Sequence, residues 1–125
     1  MAARILAVDD SATILEMIKA ILLAGGYEVI TAADGAEALE MARAEMPDLI
    51  LLDVMLPKLD GYRVCRLLKF DQKYKNIPII MLTAKTEEQA MATGIRTGAN
   101  QYLTKPVEPE KLLSAVAEEL AKVQG

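Results

Sequence analysis

The sequence contains no histidine, and that absence excludes more chemistry than any other feature of the chain. Ser-His-Asp and Cys-His nucleophile pairs cannot be built, the usual zinc sites lose their commonest ligand, and the chain cannot itself carry a phosphohistidine. Cysteine occurs once, at Cys65, so an internal disulfide and a cysteine-rich zinc site are excluded as well. Cys65 sits among Val64, Leu67 and Leu68, the setting of a buried structural thiol. No stretch approaches the roughly 18 uncharged apolar residues of a membrane span, and the N-terminus has only Arg4 ahead of strand-like sequence, without the apolar segment of a signal peptide. A cytoplasmic protein with no membrane insertion is expected. Lys and Arg number 14 against 18 Asp and Glu and are scattered along the chain, for a net charge of −4. The basic stripe of a nucleic-acid binder is missing, so no direct nucleic-acid binding is expected. Whatever chemistry exists must run on carboxylates, hydroxyls and lysines.

What is present points to one domain. A chain of 125 residues, 53% hydrophobic, is long enough for a real core and too short to divide in two. Low-complexity segments, repeats and linkers are absent. Short apolar runs alternate with segments of helical period in five pairs. Arg4 to Val8, Val29 to Ala32, Leu49 to Leu52, Ile77 to Leu82 and Gln101 to Leu103 read as strands. The first, third and fourth are nearly continuous apolar runs, as expected for central strands of a parallel sheet covered on both faces. Ile14, Ile18, Ile21 and Leu22 form one helical stripe, and Leu113, Val116, Leu120 and Val123 form another at the end. Gly25 and Gly26 can end the first helix, Asp34 with Glu37 can cap the second, and Thr86 with Gln89 makes a capping box for the fourth. Pro109 suits the first turn of the last helix. Strand-then-helix units with right-handed crossovers predict an α/β doubly wound, flavodoxin-like (βα)5 fold, with a five-stranded parallel sheet in the order 2-1-3-4-5.

In such a sheet a site belongs outside the carboxyl ends of the strands. The residues there are informative: Asp9 and Asp10 follow the first strand, Asp53 the third, Thr83 ends the fourth, and Lys105-Pro106 follows the fifth. Three carboxylates, a hydroxyl and an ammonium should therefore meet in one cleft. Taken singly these residues have ordinary readings: Asp10 or Ser11 as a helix cap, Asp53 in a turn, Thr83 at a strand end, Lys105 in solvent. Their joint placement is what signals chemistry. Clustered carboxylates repel and need a cation, and with oxygen ligands only the expected ion is hard and divalent, best matched by Mg2+. Lys105 and Thr83 can meet phosphate oxygens, leaving Asp53 as the nucleophile.

Four segments in order, Ile5-Leu6-Ala7-Val8-Asp9-Asp10-Ser11, Leu51-Leu52-Asp53-Val54-Met55-Leu56-Pro57-Lys58-Leu59-Asp60-Gly61, Met81-Leu82-Thr83-Ala84 and Tyr102-Leu103-Thr104-Lys105-Pro106, closely resemble the response-regulator receiver family over essentially the whole chain. The resemblance implies that Asp9 and Asp10 hold magnesium, Asp10 directly, and that the backbone carbonyl of Met55 is a further ligand. It implies that Asp53 accepts a phosphoryl group from the phosphohistidine of a sensor histidine kinase or phosphotransfer protein. It implies that Lys105 pairs with the phosphate and that Thr83 with Tyr102 forms the conformational switch. Met55 and Lys85 fall where family members tune phosphate lifetime. A cis peptide is expected between Lys105 and Pro106, from the resemblance and from the need to turn Lys105 into the cleft. The output is expected on the face of the segment Glu87 to Thr97, the fifth strand and the last helix, read by a downstream protein target.

Two rivals from other classes share the fold. A flavin binder needs a Ser/Thr/Gly-rich phosphate loop after the first strand, and Asp9-Asp10-Ser11 is hostile to a phosphate without metal. A phosphatase working through an aspartyl phosphate needs insertions to shape a substrate pocket, and the loops here are short. Residues 1–125 are thus expected to be a single receiver domain with no output domain. It would not be an enzyme, apart from catalysing its own phosphorylation and dephosphorylation.

Overall fold

In the computed structural model, which describes residues 2–83 and 98–124, each apolar run becomes a strand. Chain order is β1 (Arg4–Val8), α1 (Ala12–Ala24), β2 (Glu28–Ala32), α2 (Gly35–Glu45), β3 (Leu49–Asp53), α3 (Gly61–Lys69), β4 (Ile79–Thr83), β5 (Gln101–Thr104) and a last helix, here α4 (Pro109–Gln124). All pairings are parallel and the sheet order is β2-β1-β3-β4-β5, the doubly wound, flavodoxin-like arrangement expected. The helix expected over Glu87 to Thr97, its Thr86–Gln89 box and Lys85 lie outside the described residues.

The continuous apolar runs follow from the sheet being covered on both faces. Successive side chains point to opposite sides, so Leu6, Val8, Ile50, Leu52, Ile79 and Met81 pack under Ala38 and Ala42 of α2 and Val64, Cys65 and Leu68 of α3. Ile5, Ala7, Leu49, Leu51, Ile80 and Leu82 face Ile18 and Leu22 of α1 and Leu112 and Val116 of α4. Neither alternate set could be polar. Replacing one of these leucines or isoleucines by alanine would cost about 2–5 kcal/mol, a large share of the stability of a domain this size.

Local signals fix the helix starts. Ser11 Oγ accepts from the amide of Ile14 at 3.3 Å, Asp34 from that of Glu37 at 2.8 Å and Asp60 from that of Arg63 at 3.0 Å. Glu37 reaches back to the amide of Ala33 at 2.9 Å, completing a capping arrangement at α2. Gly25 caps the end of α1.

Apart from strand ends that differ by one residue, three details depart from a simple reading of the sequence. The fourth strand begins at Ile79, because the amide of Ile77 closes a turn onto Tyr74 O at 3.0 Å and Pro78 has no amide to give the ladder. On α4 Leu112, Ala115, Val116, Glu119 and Leu120 are buried, Leu113 is half-buried, and Val123 is 57% exposed. The stripe therefore keeps Val116 and Leu120 of the one read in the sequence but is turned toward Leu112 and admits Glu119. On α3, Leu67 is exposed while Val64, Cys65 and Leu68 are buried.

Candidate functional site

Register alone brings the acidic residues together. Val8 pairs with Leu52, so Asp9 and Asp53 leave adjacent strands side by side, and Asp53 in turn pairs with Leu82, one residue before Thr83. Thr83 pairs with Thr104 and accepts the amide of Lys105 at 2.8 Å through its carbonyl. The sheet thus continues to the rim of the cleft. Asp9 is held there twice: its amide donates to Ala32 O at 3.2 Å, and its Oδ1 accepts the amide of Ser11 at 2.9 Å.

Asp9, Asp10 and Asp53 each place one carboxylate oxygen so that all three lie within 4.8 Å of one another. Asp9 and Asp53 are buried and Asp10 is exposed, so the cluster has two fixed walls and one side open to water. Lys105 reaches in from the loop after β5. Its Nζ donates to Asp9 Oδ2 at 2.8 Å and lies 3.2 Å from Asp53 Oδ1. The Lys105–Pro106 peptide is cis.

Electrostatics follow from this crowding. Burial pushes the Asp53 carboxyl above its ordinary value; Lys105 opposes that, Asp9 adds to it, and a backbone hydrogen bond from Met55 opposes it. Burial works against the Lys105 charge, but the hydrogen bond to Asp9 and the attraction of Asp53 outweigh it, so the ammonium is held above its usual value. With one ammonium among three carboxylates the formal charge is −2, which one divalent cation would balance.

The donor set suits magnesium. Opposite ligands of an octahedral ion at about 2.1 Å are about 4.2 Å apart, so oxygens already within 4.8 Å need only small movements. The donors are all oxygen, and the exposed side leaves room for the waters such an ion retains.

The other expected residues are nearby in different environments. Thr83 is buried at the end of β4, and Met55 is 69% exposed on the loop after β3. Tyr102, opposite Met81 in the sheet, is half-buried and packs against the core on the α2–α3 side. Gly61 seals the floor: a Cβ there would lie 2.2 Å from Asp53 O, and its amide donates to Val54 O at 2.9 Å. Sequence reasoning did not single out Ser11 as the clamp on Asp9 or Gly61 as the floor beneath Asp53. Asp60 three residues before Arg63 is a cap signal that could have placed the helix start beside Gly61, but only the fold shows how closely it approaches the site.

A doubly wound sheet carrying an acidic trio and an inward lysine at its carboxyl edge defines a class of α/β proteins built around one charged cleft. The chain belongs to the response regulator receiver domain family, whose model matches residues 5–117. It is 50% identical over 113 residues to the alkaline phosphatase synthesis transcriptional regulatory protein PhoP of Bacillus subtilis (strain 168), covering 90% of this chain and 46% of that protein. It spans 26% of the response regulator PleD of Caulobacter vibrioides, so it matches only part of such relatives. Among solved structures it resembles the chemotaxis response regulator CheY4 of Vibrio cholerae, with TM-score 0.89 and 39% identity over 95% of this chain and 99% of that one. It also resembles the receiver domain of a sensor histidine kinase from Pseudomonas aeruginosa PAO1, with TM-score 0.89 and 32% identity over 97% and 99% of the two chains. That structure has a magnesium ion coordinated in its active-site cleft. Receiver domains are signalling switches of two-component systems rather than enzymes acting on metabolites, and no helix among the described residues is long and apolar enough to cross a membrane.

Proposed function

We propose that this chain is a phosphorylation-dependent switch in which Asp53 accepts a phosphoryl group from the phosphohistidine of a sensor histidine kinase or phosphotransfer protein. Mg2+ would be held by Asp9, Asp10, Asp53 and the Met55 carbonyl. The observation that carries this reading is the 3.2 Å approach of Lys105 Nζ to Asp53 inside a cleft where three carboxylates converge.

An Asp53 carboxylate oxygen attacks phosphorus; the new O–P bond forms as the P–N bond to the donor imidazole breaks, and that nitrogen takes up a proton. Transfer of this kind depends mainly on positioning and charge neutralisation. The fixed Asp53, buried at the end of β3, supplies the first, and the Lys105 ammonium, anchored on Asp9, supplies part of the second. A bound Mg2+ would neutralise charge on the carboxylates and on the transferred oxygens. Thr83, one strand over, offers its hydroxyl to a phosphate oxygen.

Drawing in Thr83 would leave space into which Tyr102 can turn, changing the face of residues 87–97, β5 and α4 for a protein target. Both conformations must already exist for phosphate to bias them. Direct nucleic-acid contact by these residues is disfavoured by the net charge of −4, although a relative 41% identical is named as the DNA-binding response regulator MtrA. The absence of a membrane-length apolar segment favours a cytoplasmic setting.

The test is intact mass after incubation with a small acyl phosphate donor, with magnesium and with chelator. One added phosphoryl group that needs magnesium and is lost in Asp53→Ala supports the proposal; modification at full yield in Asp53→Ala refutes it.

A further inference from the structure

The only phenylalanine of the chain lies outside the core. Phe70, at the end of α3, is 72% exposed. It completes a surface stripe of Arg63, Arg66, Leu67 and Phe70, spaced three and four residues apart on one helix face. Leu67 is 47% exposed, and the Arg66 guanidinium sits 5.9 Å from the centroid of the Phe70 ring, a contact that helps to hold the ring in place. Arg43 of α2 and Leu59 of the loop after β3 complete the walls of an open groove of about 920 Å³ between α2 and α3.

Its charge is unusual for this molecule. In a chain of net charge −4, three guanidiniums border one groove, and Arg43, Arg63 and Arg66 form no ion pair with a carboxylate among the described residues. The carboxylate on the rim, Asp71, already accepts the amide of Lys73 at 2.9 Å. An exposed apolar patch whose rim carries three guanidiniums against one carboxylate marks an interaction surface for a partner of negative charge.

We propose that the α2–α3 groove docks an acidic segment of a partner protein, with an aliphatic or aromatic side chain of that segment seated between Leu59, Leu67 and Phe70 and its carboxylates on the arginines. Guanidinium groups match carboxylates in a bidentate fork, and their weak hydration suits a partly apolar surround. A short segment senses the local field, because the rest of the chain's negative charge is screened beyond about 8 Å at physiological salt. A duplex would bring phosphates but no side chain for the apolar floor. This surface is separate from the Asp53 cleft, and the proposal stands independently of the phosphorylation reading.

The test titrates the isotope-labelled 125-residue chain with a short synthetic peptide alternating Glu or Asp with Leu and Phe, followed by amide shifts. The expected result is shifts confined to the groove around Arg43, Leu59 and residues 63–72, with binding weakened about tenfold by the double variant Arg63→Glu, Arg66→Glu and several-fold by raised salt. Both residues are exposed, so circular dichroism should be unchanged; Phe70→Ala gives a second, charge-neutral loss of binding. The proposal is overturned by no shift at about 1 mM peptide, by shifts elsewhere, or by equal binding of the Gln/Asn version of the peptide. Concentration-dependent dimerisation through these residues, or tighter binding of a DNA duplex at the same groove, would overturn it in favour of those occupants.

Discussion

Asp53→Asn preserves the shape of the cleft and removes one charge, and its effect on the metal-free protein can be worked from the site's distances. Lys105 Nζ at 3.2 Å attracts the Asp53 carboxylate by about 5 kcal/mol at an effective dielectric near 20. Asp9 and Asp10, within 4.8 Å, each repel it by at least about 3.5 kcal/mol on the same footing. Asp10 is exposed, so its share is screened further. Attraction and repulsion nearly cancel, and burial of the charge decides the balance against ionised Asp53, in agreement with its raised carboxyl. In chelator-containing buffer at neutral pH, Asp53→Asn should therefore be more stable than wild type by about 1–2 kcal/mol, a rise of several degrees in melting temperature. The sign has a pH signature. The folded carboxyl titrates above its unfolded value, so the folded state holds the extra proton between the two; wild-type stability falls as pH rises through that window and the penalty is absent below it. Asp53→Asn should lack this fall. Magnesium at a hundredfold excess over its dissociation constant should add about 2.7 kcal/mol to wild type and much less to the variant. Calorimetry at several pH values, with chelator and with magnesium, reads all of this. A variant that melts lower than wild type without metal, with magnesium protecting both equally, refutes the reasoning.

Three further outcomes follow from the same geometry. Lys105→Gln leaves Asp9 and Asp53 facing each other without the ammonium, so the chelated protein should lose about 2 kcal/mol by thermal melting, with magnesium restoring much of it; an unchanged melting temperature would contradict the contacts seen. Gly61→Ala forces a Cβ against Asp53 O and should destabilise by about 2–3 kcal/mol in urea unfolding, whereas a neutral substitution would mean that the floor of the cleft yields easily. Phosphorylation should shift amide signals across residues 87–107 as well as around Asp53, and shifts limited to the neighbourhood of Asp53 would exclude the route through Thr83 and Tyr102.

The parts of the fold legible in the sequence are those governed by short-range period. Runs such as Leu49 to Leu52 could only be strands covered on both faces, and the positions of Asp9, Asp53 and Lys105 relative to those runs placed them on one edge before any distance was known. Rotation of a helix about its axis is set by tertiary packing, which is why α4 buries Leu112 and Glu119 in place of the expected Leu113 and Val123. Glu119 is tolerated because Lys122 Nζ, its i+3 neighbour on α4, donates to it at 3.2 Å and Gln101 Nε2 of β5, which no spacing rule connects to it, donates at 2.5 Å. The exposure of Phe70 was equally hidden, since an aromatic beside Leu67 and Leu68 reads as core until the helix is oriented. Which carboxylates Lys105 would contact also depended on the path of the loop after β5, beyond the reach of strand register.

The most direct test of the central claim is to locate the phosphoryl group. After reaction with an acyl phosphate donor and magnesium, borohydride reduction converts an aspartyl phosphate to homoserine, which tandem mass spectrometry places at a single residue. The account predicts reduction at Asp53 alone, absent with chelator. A label on Asp9, Asp10 or any hydroxyl, or no label at all under conditions in which magnesium binds, would contradict it.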